Sequence, residues 1–333
     1  MAQARNVTLQ VMLNGAALGG VIEAEVKSNS YFSANEFGIK VALDIAGTSI
    51  WSESVLEIAI NMGVNQSFAT LITGLVDRIS IDPILRVAEI QGRDLTSVFI
   101  DSRVDQTFEN LSASEVVTAL ALKHALIPNV FPTPDLVGRY FQAGFTQNTY
   151  DQYSQTTTEW DLIVRLAQQF GYDAWVDGNS FYFQPSLGES SSGLVIQPNA
   201  CLSLRLDKSV PLANGAIVTV KSWNSYTQTA VIQSVGFGTQ SYVVLKPNLT
   251  DAMALFLATQ IWIQMSQHEK TLEFSMPGDV TSLPRMTVNL SETGTEFDDV
   301  YIISEISRRF SLREGFIQDV CARRPAWMIS SML

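Results

Sequence analysis

The sequence predicts an α+β chain that is mostly β, in which two blocks of short strands bracket a mixed unit and a helical insertion interrupts the second block. Three observations predict it. Apolar and polar residues alternate with period two over residues 5–92 and again beyond residue 200. Between these blocks, two segments switch to helical spacing behind capping signals, and a serine-rich ESSSG joint at 189–193 separates the mixed unit from the second block. A length of 333 residues allows two to four domains with their own cores.

The first block reads NVTLQVML, GVIEAEVKS, FGIKVALDI, VLEIAINM, SFATLITGLVDRISID and RVAEIQG, broken by Gly, Asn, Ser and Pro. Its alternation gives one apolar and one polar face, as in a sandwich or barrel. Residues 111–126 begin with Ser112-Ala113-Ser114-Glu115, a capping-box spacing, and Pro128, Pro132 and Pro134 forbid further helix. A second box is expected at Thr156-Thr157-Thr158-Glu159, followed by Trp160, Ile163, Val164, Ala167 and Phe170 on one helical face. Gly171 then supplies the left-handed stop, and Asp177-Gly178 turns a hairpin between strands at 172–176 and 180–184. Strands return in LSLRL, GAIVTVKSW, TAVIQSVGFG and SYVVL, where Gly236-Phe237-Gly238 is a turn. A long apolar segment at 250–270 starts at Thr250-Asp251, and Met253, Phe256, Leu257, Ile261 and Met265 should mark its buried face. The strands PRMTVNL, DVYIISEISRRF and GFIQDVCARR close the chain.

Composition narrows the function. Charged residues make up 16% and apolar ones 46%, which leaves apolar surface for a protein partner. A formal net charge of −12 argues against sequence-independent nucleic-acid binding, which needs clustered Lys and Arg. The N-terminus lacks a signal peptide's apolar core, and no run reaches the roughly 18 apolar residues of a spanning helix. Cys201 and Cys321 sit in strand-like surroundings without a CxxC spacing, as core residues do.

Chemistry has little to build on. The two histidines, His124 and His268, lie near helix ends and form no metal-binding pattern. No nucleophile elbow, phosphate loop or dinucleotide fingerprint occurs. The carboxylate pairs Glu159 with Asp161, Asp173 with Asp177 and Asp298 with Asp299 could serve a glycosidase, but the first belongs to a helix N-terminus and Asp177 to a turn. Trp160, Phe170, Tyr172, Trp175, Phe181 and Tyr182 could stack on sugars, yet at this spacing they read as core. Arg308-Arg309 and Arg323-Arg324 fall near strand ends, where solvent or a second subunit would meet them. No enzyme, cofactor or metal is expected.

The order of motifs resembles the central baseplate hub proteins of contractile phage tails: the T4-type hub, the late control protein D group and the hub portion of type VI secretion spike proteins. Gly74-Leu75-Val76-Asp77 resembles the family's strand-closing G-x-V-D, and Gln91-Gly92-Arg93-Asp94 its G-R-D junction into the mixed domain. TEWDLIVRLAQQFGYDAWVDGNSFYF, with Trp160, Gly171, Asp177 and Gly178, resembles the helix, glycine and hairpin of such hubs; VYIISEISRRFSLREGFIQDVCARR is similar to their closing strand pair. The resemblance implies a first tube-like β-barrel domain at 1–94, an α+β domain at 95–188, a second tube-like barrel at 189–246 and 271–326, and a helical insertion at 247–270. It implies a homotrimer, a non-enzymatic adaptor ring that joins a sixfold tail tube to a threefold spike around a DNA channel, with other baseplate proteins as neighbours. Such a ring is assembled in the bacterial cytoplasm and resides in the virion. The family's spike and lysozyme-like additions have no counterpart here, so the spike is expected as a separate polypeptide. Two alternatives remain at this point: a tail-associated peptidoglycan or polysaccharide hydrolase or carbohydrate-binding protein, and a hub of a flexible tail or a phage-derived injection system.

Overall fold

Alternation along the N-terminal strands becomes a sheet with one buried and one solvated face. The computed structural model describes residues 5–43, 55–65, 67–104, 108, 111–133, the backbone of 136–137, 158–186, 193–224 and 228–330. Thr156, Thr157 and most of the ESSSG joint lie outside these residues. The first block forms β1 (Val7–Leu13), β2 (Ala16–Ala17), β3 (Val21–Asn29), β4 (Glu36–Ala42), β5 (Glu57–Val64), β6 (Ser67–Asp82) and β7 (Val87–Asp94). Ala24, Ile39 and Ile90 face each other across three strands, and with Val26, Phe37, Ile58 and Ile60 they make an apolar cluster. Glu23, Glu25, Lys40 and Glu89 occupy the alternate positions on the other face.

The mixed unit holds α1 (Ser97–Asp101), β8 (Leu111–Ser112), α2 (Ala113–Lys123), β9 (Ile127–Val130), β10 (Leu136–Val137), α3 (Glu159–Phe170), β11 (Tyr172–Asp177) and β12 (Ser180–Pro185). Its sheet runs β11-β12-β9, with β9 parallel to β12. Phe181 and Phe183 are wholly buried against Val117 and Leu120 of α2 and Ile163 and Leu166 of α3. Each such ring contributes about 1.5–3 kcal/mol by leaving water.

The remainder forms β13 (Gly193–Ile196), β14 (Ser203–Lys208), α4 (Val210–Ala213), β15 (Ala216–Asn224), β16 (Thr229–Gly236), β17 (Gln240–Leu245), α5 (Asp251–Ser266), β18 (Lys270–Pro277), β19 (Thr287–Leu290), β20 (Val300–Ser311), β21 (Gly315–Arg323) and α6 (Ala326–Ser330). β20 pairs antiparallel with β3, from Glu305 opposite Asn29 to Ser311 opposite Glu23. The two β blocks are thereby one sheet, ordered β14-β18-β21-β20-β3-β4-β7-β6-β5-β1-β2, with β19 on β20 and β13 on β19. Bulges at Val21/Glu23, Ile60/Asn61, Val76/Arg78 and Ile303/Glu305 bend it. Among the described residues no sheet closes on itself, so the fold is mostly β around an open path of strands.

β15, β16 and β17 pair only with one another among the described strands, and α5 packs on them. The buried stripe of α5 is Ala254, Ala258 and Trp262, with Ile263 beside it; Phe256, expected inside, is 42% exposed. Small alanines let the helix lie close to the sheet, and the Trp262 indole N–H donates to Ala216 O at 3.0 Å. Gly236, at φ +97°, sits where a Cβ would lie 2.3 Å from that indole nitrogen. Met253, Leu257, Ile261 and Met265 pack, partly buried, against the same cluster, so of the expected face only Phe256 lies outside it.

Candidate functional site

The motif positions that suggested a hub junction gather where β6 and β7 meet the mixed unit. The bulge at Val76/Arg78 pairs with a close approach of the two strands. A Cβ on Gly74 would come within 2.1 Å of Arg93 O, and one on Gly92 within 2.1 Å of Leu75 O and 2.5 Å of Phe37 Cζ. Only glycine fits there. Arg93 donates from Nε to Asp77 Oδ2 at 2.6 Å and from Nη2 to Asp77 Oδ1 at 2.9 Å, a bidentate fork, and Nη2 also reaches Asp101 Oδ2 of α1 at 3.0 Å. These bonds, with Asp77 first, hold the guanidinium above its usual range. The bulge, β7 and α1 are tied at one side chain.

Asp94 does the same work from inside. It is 4% exposed, and its carboxylate accepts from Asn35 N at 3.1 Å and Thr96 N at 3.0 Å. Burial pushes its carboxyl up to about 6, against the pull of those bonds. The loop before β4 and the start of α1 are thus anchored to the end of β7.

Trp160 and Gly171 fix α3 against the rest. The Trp160 indole donates to Phe32 O at 3.1 Å, joining the mixed unit to the β3–β4 connection. Gly171 adopts φ +66° as the helix stop, and α5 crosses next to it, with Phe256 Cζ 3.4 Å from where its Cβ would be. Asp177 and Gly178, φ +54°, turn the hairpin at the surface.

The capping box of α3 differs from the expected one. Thr158 is the N-cap: its hydroxyl accepts from Asp161 N at 3.1 Å, and Asp161 Oδ2 accepts from Thr158 N at 3.1 Å. Shifting the box by two residues frees Glu159 to turn inward, where it is 1% exposed and meets Lys123 Nζ at 2.6 Å and His124 Nε2 at 2.5 Å. The carboxylates considered as pairs therefore have separate duties. Asp173 Oδ2 lies 3.7 Å from Arg285 Nε, Asp298 accepts from Thr293 and Gly294, and Asp299 Oδ1 accepts from Val300 N. Among the described residues no group of His, Cys, Asp or Glu could hold a metal ion.

Arg308 overturns the strand-end reading. It is 2% exposed, donates from Nε to Asp279 O at 2.9 Å and from Nη2 to Ser282 O, and stands opposite the fully buried Gln318 on β21. Burial lowers its guanidinium to about 10. Arg309, one residue on, faces outward to Asp319 at 2.7 Å. Arg324 is also buried, paired with Glu269 at 2.5 Å. Only the pairing of β20 with both β3 and β21 makes position 308 interior, and no local signal announces that pairing.

No protein-family model matches the sequence, and no curated protein does. Solved structures do match the fold. A tail protein from Neisseria meningitidis MC58 superposes with a TM-score of 0.69 at 12% identity, over 96% of this chain and 96% of that one. The 43 kDa tail protein of prophage MuSo2 from Shewanella oneidensis gives 0.71 at 12% identity, over 96% and 99%. A component of the E. coli type VI secretion system, described as structurally similar to the T4 bacteriophage tail proteins gp27 and gp5, gives 0.59 at 12% identity, over 95% of this chain and 76% of that one. The chain has, along nearly its whole length, the fold of these tail and secretion proteins.

Proposed function

We propose that the chain is a structural hub of a phage tail: three copies form an adaptor ring between the sixfold tail tube and a threefold spike, around a channel for DNA. The observation that carries this reading is the pairing of β20 with β3, which sets two β blocks side by side in one protomer. Three protomers then present six successive blocks, so a threefold ring can match a sixfold tube with no change of subunit. Residues 1–94 would be the first tube-like domain, 95–188 the mixed domain, 189–246 with 271–326 the second tube-like domain, and 247–270 the insertion.

The activity is geometric. Apolar surface buried between copies holds the ring, and no bond is made or broken. The polar face of the large sheet, where Lys27 lies 3.7 Å from Glu25 and Lys40 3.8 Å from Glu89, offers DNA no unpaired row of cations and suits a channel wall. The tail tube protein, a separate spike protein and other baseplate proteins would be its neighbours in the virion. Likeness to a type VI secretion component also supports a hub of a phage-derived injection machine, which shares the ring and differs in cargo. Electron cryomicroscopy of particles carrying this chain tests the proposal: density for three copies between tube and spike supports it, and a position on the outer fibres or capsid refutes it. Among the described residues no helix is long and apolar enough to cross a membrane.

A further inference from the structure

A cavity of about 560 Å³ lies where the mixed unit, α5, α6 and the large sheet converge. That is the size of a pocket for an organic ligand. Its walls include Tyr31, Phe32, Tyr172 and Trp327, with Gln260 and Gln264 from α5. Three hydrogen-bond donors at its lining are buried and have no hydrogen-bond partner among the described residues: Arg285 Nε, Arg323 Nε and Trp327 Nε1. Arg285 is itself 9% exposed, stacks over the Trp175 ring at 4.3 Å and donates through Nη2 to Ser30 O at 3.3 Å. Arg323 stacks over Tyr31 at 4.9 Å. A buried donor left without an acceptor is destabilising, and three around one cavity call for an acceptor.

Formal charge selects the acceptor. Two guanidinium groups face one carboxylate, Asp173, which stands 3.7 Å from Arg285 Nε, so the lining carries one surplus positive charge. His268, also at the lining, adds none at neutral pH, because burial and then Arg323 hold its imidazole below the usual range. A phosphate dianion would overfill this balance and meet Asp173. A monocarboxylate matches it, offers two oxygens to the guanidinium and indole N–H groups, and leaves its organic body against the aromatic and glutamine walls. We propose that the cavity formed by Arg285, Arg323, Trp327 and Asp173 is a binding site for a carboxylate attached to an aromatic or apolar body, either a free acid or the end of a peptide.

Isothermal titration of the full chain with benzoate, benzamide, inorganic phosphate and N-acetyl-Phe-Gly tests this. The expected result is binding of benzoate or of the peptide, with benzamide and phosphate at least about tenfold weaker, since each lost charge-assisted bond is worth about that factor. Tighter peptide than benzoate identifies a chain end as the occupant, and the reverse identifies a free acid. Trp327→Phe keeps the ring and deletes one donor, and Arg323→Gln removes one charge; each should weaken carboxylate binding about tenfold with the melting temperature retained. Benzamide binding as tightly as benzoate, neither carboxylate binding, or both variants binding like the parent chain would overturn the assignment.

Discussion

Two arginines tie this fold together, and they do so by opposite means. Arg93, 26% exposed in its side chain, grips two carboxylates, Asp77 and Asp101, at the joint between the large sheet and α1. Arg308, 2% exposed at the seam between the two β blocks, has backbone carbonyls of Asp279 and Ser282 as its partners. Water explains the contrast. A half-exposed ion pair gains little, because solvent screens it and competes for both groups. A buried guanidinium has lost its hydration, and every bond that replaces it matters. The seam should therefore be the strong point of the molecule and the joint a matter of alignment.

The largest predicted effect breaks the seam. Arg308→Met leaves two interior carbonyls unpaired at about 1–3 kcal/mol each, so urea denaturation should show a loss of about 2–6 kcal/mol. A loss below about 1 kcal/mol would reverse the comparison.

Next comes Asp94, the buried acid beside the exposed joint. Its folded-state carboxyl stands at about 6 against an ordinary 3.8, so the folded chain holds a proton that the unfolded chain releases. The stability it contributes is present below about pH 4 and falls by about 3 kcal/mol as pH rises through about 6. Denaturation midpoints at fixed protein concentration should show that slope, and Asp94→Asn should flatten it. Gly92→Ala should cost about 1–3 kcal/mol, because the new methyl meets Leu75 O and the Phe37 ring. Smallest of all, Arg93→Ala should cost about 0.5–1 kcal/mol, and high salt should shrink the difference further.

The joint was legible and the seam was not. Gly92, Arg93 and Asp94 are adjacent in sequence and end a strand whose alternation is plain, and the resemblance to hub proteins implied a junction there. Arg308 carries no such sign. Its burial depends on β3, where the distant Val26 stands opposite it, and on β21 flanking the same strand. The same holds for Glu159: helical spacing and Gly171 located the body and end of α3, but two competing threonine boxes, two residues apart, differ in which acid turns inward. Strand β18 was hidden behind the apolar run of α5, where the period changes without a Gly or Pro break. The cavity at Arg285 draws on residues from 30 to 330, and no spacing rule reaches across them.

Native mass spectrometry of the purified chain tests the central claim, that three copies close into a ring. The account predicts a single species near 110 kDa, three times the 36.7 kDa chain, that persists on dilution through the micromolar range. A monomer of 36.7 kDa at every concentration would contradict it.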